Sequence, residues 1–222
     1  MSDTRIIAFD TSAAHCAAAL RVGAETVEER LEHLSRGQAE RLMPMLEEIL
    51  AARGLCWRDL DAVAVGTGPG NFTGLRIAVS AARGLALSLG CPAVGVSLFE
   101  VMRDGLPKAG EELVSLEGPR GTAYVQRFCD GDPAGAPTQI DPDDIPSGLG
   151  PALRVTGYAA GRLARAPGAE ARESALHDIA PRIARLAAAR LADGAPIARP
   201  APLYIRPADA APPREASPLI LP

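Results

Sequence analysis

Two stretches of the chain carry residue types that could do chemistry. Asp10-Thr11-Ser12 puts an acid at the end of an apolar strand with hydroxyls in the turn behind it. A kinase or ATPase uses that arrangement to hold a metal-bound water and to receive phosphate on the backbone amides of residues 11–14. The second stretch, Gly66-Thr67-Gly68-Pro69-Gly70-Asn71, is a glycine-rich turn leading into a helix. Neither completes a nucleotide site. The only lysine is Lys108, so no Gly-x-x-x-x-Gly-Lys-Ser/Thr loop is present, and the glycine spacing is not the Gly-x-Gly-x-x-Gly of a dinucleotide fold. An ATPase also needs an acid beside a turn in the second half, and Val155-Thr156-Gly157 has none.

Other catalytic classes lack their residues. His15, His33 and His177 fall on three different elements, with no His-x-His or His-x-x-x-His spacing, and are read as surface or satisfied side chains. Cys16, Cys56, Cys91 and Cys129 are far apart with no Cys-x-x-Cys, which points to buried reduced thiols rather than zinc or disulfides. No Gly-x-Ser-x-Gly elbow exists for a serine nucleophile. No catalytic residue, cofactor or metal is therefore assigned. Asp10, Thr11 and Ser12 read as a degenerate phosphate loop, with Asp10 accepting hydrogen bonds from the turn's amides. A net charge of −4 and the absence of a basic block exclude unaided nucleic-acid binding, so RNA is reached only through a basic partner. A start at Met-Ser-Asp-Thr without a basic n-region and long apolar stretch, and no 18-residue apolar run, predict a cytoplasmic protein with no membrane segment.

The elements that must position these residues centre on residues 62–90. Ala62-Val63-Ala64-Val65 lacks alternation, as a strand buried on both faces does. The helix over 72–89, capped by Asn71 or Thr73, has two faces at 100° per residue. Leu75, Val79, Ala82, Ala86 and Leu89 make a stripe for the sheet. The opposite side holds Ile77, Ser80, Ala81, Gly84, Leu87 and Ser88, and the helix's only charges are Arg76 and Arg83. Small residues at i, i+4 (Ser80, Gly84, Ser88) admit a close second helix. Periodicity alone leaves open whether that helix belongs to the same chain.

The chain opens with strands at 5–10, 16–22 and 26–32, three in antiparallel order. A capping box at Ser35 and Gln38 starts a helix that Pro44 should kink near residues 40–41 and that ends at Gly54. A strand at 92–96 follows, then a helix begun by the Ser97 and Glu100 capping box. Turn residues at 107–110 mark a boundary. The second half reads as a shorter echo, with a hairpin over 112–129, a loop over 131–151 holding a weak strand at 138–140, a strand at 153–156 and a helix over 175–192 interrupted by Pro181. Residues 200–222 form a proline-rich tail, mobile apart from a docking segment at 203–206.

Two units that open with three antiparallel strands and continue with alternating helices and strands resemble the actin-like (ASKHA) superfamily. The expected fold is α/β and two-lobed, each lobe a mixed sheet: a first lobe over 1–106, a reduced second lobe over 107–199 whose last helix packs back on the first, and the tail. Asp10-Thr11-Ser12, Arg41-Leu42-Met43-Pro44, the stretch from Gly66 to Gly74 with Leu75-Arg76-Ile77, Val94-Gly95-Val96-Ser97 and Pro202-Leu203-Tyr204-Ile205-Arg206 together resemble the TsaB (YeaZ) family. That resemblance implies a non-catalytic partner of TsaD, which transfers a threonylcarbamoyl group to form N6-threonylcarbamoyladenosine next to the tRNA anticodon, with the ATPase TsaE joining the complex. It further implies pairing with TsaD through the first-lobe helices, with Met43, Leu46, Leu50, Arg76, Ile77, Ser80, Ala81, Arg83, Gly84 and Ser88 at the interface, and self-association through the same helices when isolated. The chain departs from the family in having Gln38-Ala39-Glu40 before Arg41, where relatives carry a histidine, and Gly118-Pro119-Arg120 in the second-lobe hairpin, where many carry an acid.

Overall fold

The computed structural model describes residues 3–144, 154–165 and 167–205. The first sheet contains β1 (Arg5–Asp10), β2 (His15–Val22), β3 (Glu25–His33), β4 (Ala62–Gly66) and β5 (Ala93–Val96) in the order β3-β2-β1-β4-β5. The first three strands pair antiparallel, whereas β4 and β5 join β1 in parallel. Both faces are covered, which is why β1 and β4 are apolar without alternation. On one face Ile7, Phe9, Val63 and Val65 pack against Leu42, Met45, Leu46 and Ile49 of α1 (Gln38–Ala52) and Ala78, Val79 and Ala82 of α2 (Phe72–Leu89). On the other, Ile6, Ala8, Ala62 and Ala64 meet Phe99 of α3 (Leu98–Arg103) and Ile183, Ala184 and Ala187 of α5 (Ile179–Ala192). The chain's last helix thus packs on the first sheet.

The second sheet runs β11-β10-β6-β7-β8, built from β6 (Glu111–Glu117), β7 (Ala123–Cys129), β8 (Asp132–Pro133), β10 (Arg154–Gly157) and β11 (Glu170–Glu173), with β9 (Thr138–Ile140) also on β7. Its third antiparallel strand is broken in two, β8 pairing with Phe128 and Cys129 and β9 with residues 123–125. Where the first sheet carries α2 between parallel strands, the second has only α4 (Ala160–Leu163), so this is a two-lobed α/β actin-like fold with a reduced second lobe. Val114, Leu116 and Phe128 join the cluster of α3 and α5. Arg103 and Glu112, both nearly buried, pair at 3.3 Å across this junction, and Thr156 Oγ1 donates to Glu112 Oε1 at 3.0 Å.

Several local expectations change. Ser35 does not cap α1: Gly37, at φ 90°, precedes a helix that starts at Gln38, and the Gln38 amide donates back to the Leu34 carbonyl at 2.9 Å. α1 runs through Pro44 as one helix. Pro181 does not interrupt α5, because that helix starts four residues later than its periodicity suggests and Pro181 falls in the first turn, where a missing N–H costs nothing. The Ser97 and Glu100 capping box forms as expected. Leu153, most of the expected second-lobe loop beyond residue 144 and the tail from Arg206 lie outside the described residues.

Candidate functional site

α2 is fixed at both ends by its own residues. Asn71 Oδ1 accepts from the N–H groups of Thr73 and Gly74 at 3.0 and 3.1 Å, and Gly90, at φ 67°, closes the helix. Its start is locked onto the β1–β2 turn. Asn71 N–H donates to the Ser12 carbonyl at 2.6 Å, and Thr11 Oγ1 donates to the Gly74 carbonyl at 2.7 Å. A Cβ at Gly74 would lie 1.9 Å from the Thr11 carbonyl oxygen, one at Gly70 2.4 Å from that of Ser12, and one at Gly66 2.0 Å from Asp10 Oδ2. The glycines are required for this close approach.

Asp10 is fully buried beneath that contact. Its Oδ1 accepts from Ser12 N–H (2.9 Å) and Ser12 Oγ (2.7 Å) and bonds His15 Nε2 (2.8 Å), while Oδ2 has no partner among the described residues. Ser12 and His15 both bond to the acid instead of to each other, so no serine–histidine nucleophile pair forms. The residues do not fit the magnesium nucleotide that an actin-like cleft implies, since Gly66 stands against Asp10 Oδ2 and the carboxylate exposes no surface to a ligand. The three histidines, distant in sequence, line one cavity of about 290 Å³ between β2, β3 and the start of α5. There His177 Nδ1 bonds Asp178 at 2.8 Å and Arg182 Nη2 approaches Nε2 at 2.7 Å. Among the described residues no group of three or more His, Cys, Asp or Glu is placed to hold a metal.

The outward side of α2 is open. Ser80, Gly84 and Ser88 are exposed, Ile77, Ala81 and Arg83 are half-buried, and Leu87 is 84% exposed. Nothing lies within 4 Å of a Cβ built on Gly84. By length and composition alone α2 could cross a membrane, but Leu75, Ala78, Val79, Ala82 and Ala86 are buried on the protein. Met43 of α1 is exposed. Leu46 and Leu50, expected at a partner surface, are not available to one: they are 0% and 2% exposed and belong to the core beneath α1. A wide apolar stripe on a helix does not by itself say which edge the sheet covers.

Two arrangements escaped the sequence. Arg76 lies 3.8 Å above the centre of the Phe72 ring and its Nε donates to Tyr204 Oη at 2.9 Å, with the two rings 5.2 Å apart. The residues from 197 to 205 are thereby tied to α2, and Leu203 N–H also donates to the Thr67 carbonyl at 2.8 Å. On α1, Arg41 bonds Glu32 at 2.6 and 2.7 Å and Glu48 at 2.7 and 2.8 Å, and Arg30 joins Glu48 at 2.7 Å. The Arg41 hydrogen bonds hold both carboxyls below the usual carboxylate range. Burial, with Glu32 nearby, pushes the Cys16 thiol up to about 11.

Residues 31–126 match the family model described as TsaD, tRNA N6-adenosine threonylcarbamoyltransferase. The tRNA threonylcarbamoyladenosine biosynthesis protein TsaB of Escherichia coli is 37% identical over 127 residues, 56% of this chain and 54% of that protein. The protein of the same name from Haemophilus influenzae is 37% identical over 102 residues, 46% of this chain and 43% of that one. The solved structure of YeaZ from Pseudomonas aeruginosa superposes with a TM-score of 0.70 at 26% identity, covering 90% of this chain and 99% of that one. The chain is thus similar to proteins named TsaB and YeaZ. Its matches span about half the length of the curated relatives. The TsaD match runs from the end of β3 through α1, α2 and α3 into β7, and so includes the helix whose outward side is open.

Proposed function

We propose that this chain is a non-catalytic partner that binds TsaD and holds it in order for the formation of N6-threonylcarbamoyladenosine on tRNA, in the cytoplasm, with TsaE as a further component. Contact with tRNA is indirect. The pairing surface is the outward side of α2, with Arg76, Ile77, Ser80, Ala81, Arg83, Gly84 and Ser88, together with Met43 of α1; the isolated chain self-associates through the same face. The two lobes, 1–106 and 107–199, act as one scaffold for it. The observation that carries this reading is the open Gly84 between exposed Ser80 and Ser88, a place where another helix axis can approach to about 8 Å. The names of the relatives supply the reaction. A kinase or ATPase centred on Asp10 is disfavoured by the burial of its carboxylate.

The test is co-purification with TsaD and reconstituted modification of tRNA. Gly84→Leu is expected to abolish both while the isolated chain melts no lower than the native one. Undiminished association, or unfolding of the isolated variant, would overturn the assignment of this face. ATP turnover by the chain alone, well above background, would favour the enzyme.

A further inference from the structure

Residues 195–204 form a strap that leaves the end of α5, crosses beside β5 and reaches the start of α2. Pro200 packs so close to Gly95 that a Cβ there would lie 3.0 Å from the proline ring, and Tyr204 fastens the strap to Arg76. Between this strap and the last turns of α2 lies an open groove of about 490 Å³, whose lining includes Arg83, Leu87, Cys91, Ile197, Arg199 and Pro200. Its floor is apolar, and its charged lining residues are both arginines. Among the described residues neither of these pairs with a carboxylate. On a chain of net charge −4 this is a local reversal of sign.

We propose that this groove docks an acidic polypeptide segment of a partner protein, one large apolar side chain resting on Leu87 and Ile197 while flanking carboxylates reach Arg83 and Arg199. Guanidinium forks match carboxylates, and the sign of the groove favours acidic segments and repels basic ones. Its openness suits a strand of polypeptide rather than an enclosed small molecule. No aromatic ring lines the groove, so it offers no platform for stacking the bases of single-stranded RNA. The groove shares Arg83 with the helix pairing proposed above, but Ile197, Arg199 and Pro200 of the strap lie outside that pairing surface, so a variant at Arg199 separates the two readings.

Fluorescence anisotropy with the full chain tests it, using a labelled Asp-Glu-Leu-Phe-Glu-Asp peptide, its Lys-Lys-Leu-Phe-Lys-Lys twin and a twelve-residue oligouridine. The acidic peptide is expected to bind, to weaken as salt rises and to lose about tenfold or more in affinity on Arg199→Glu, an exposed position that should leave the melting temperature unchanged. Leu87→Ser should also weaken it, by about tenfold. Equal binding of the lysine twin, tighter binding of the RNA, absence of acidic-peptide binding at millimolar concentration, or indifference to Arg199→Glu in a folded variant would each overturn the proposal.

Discussion

Gly74 and Gly84 sit on the same helix and meet opposite surroundings. Around Gly74 the chain closes on itself so tightly that no side chain has room; among the described residues nothing lies within 4 Å of a Cβ at Gly84. A glycine in a helix interior costs roughly 1 kcal/mol relative to alanine. At Gly74 the contact with the β1–β2 turn explains that cost from within the molecule. At Gly84 nothing among the described residues does; the helix pairing proposed above would. The same division runs through the sheet's two sides: the α3 and α5 side is closed by the second lobe's apolar residues, and the α1 and α2 side keeps an exposed outer surface.

Four experiments break or sharpen this contrast. Gly74→Ala should destabilise the chain by more than about 3 kcal/mol, measured by urea unfolding, since backbone must move to admit the methyl group; a fully stable variant would dissolve the distinction between the two glycines. Asp10→Ala should cost about 2–3 kcal/mol by removing the acceptor of three hydrogen bonds beneath that lock, and it should do so without affecting any ATP turnover. A smaller effect is expected on α1. Glu32 and Glu48 have their folded-state pKa values depressed by Arg41, so the stability they contribute is present above the unfolded carboxylate value of about 4.3 and is lost as pH falls through the lower folded values. Arg41→Met should therefore lower the melting temperature at pH 7, and the gap from the native chain should close below about pH 4; a gap independent of pH would assign Arg41 a packing role only. Both carboxylates are partly exposed to water, which keeps this effect modest. Last, Gly84→Ala should raise the stability of the isolated chain by about 0.5–1 kcal/mol, the opposite sign to Gly74→Ala. A loss there would mean that the open face is tighter than its geometry shows.

Much of the fold was legible because its signals are local. The 3.6-residue stripe of Leu75, Val79, Ala82 and Ala86 identified the buried side of α2, Asn71 and Thr73 were its two candidate caps, of which Asn71 forms the cap, and Ser97 with Glu100 marked α3. The capping motif at Ser35 misled because Gly37 adopts a left-handed conformation and begins α1 by another route. Leu46 and Leu50 were misplaced because α1's apolar stripe is wider than the area a partner would need, and only the sheet beneath shows which residues it covers.

What the sequence determined by itself was the kind of chain: an α/β succession with a glycine turn ahead of a nearly uncharged helix, no complete nucleotide loop and no metal-binding spacing, all patterns that periodicity and residue type carry over short distances. Only the tertiary structure decided which of those patterns meet. It sealed Asp10 under Gly66, gathered three histidines at one cavity, tied Tyr204 to an arginine 128 residues earlier and left Gly84 bare. Contacts of that kind depend on how the strands and helices pack in three dimensions, and hydrophobic periodicity records which side of an element is buried without recording what buries it.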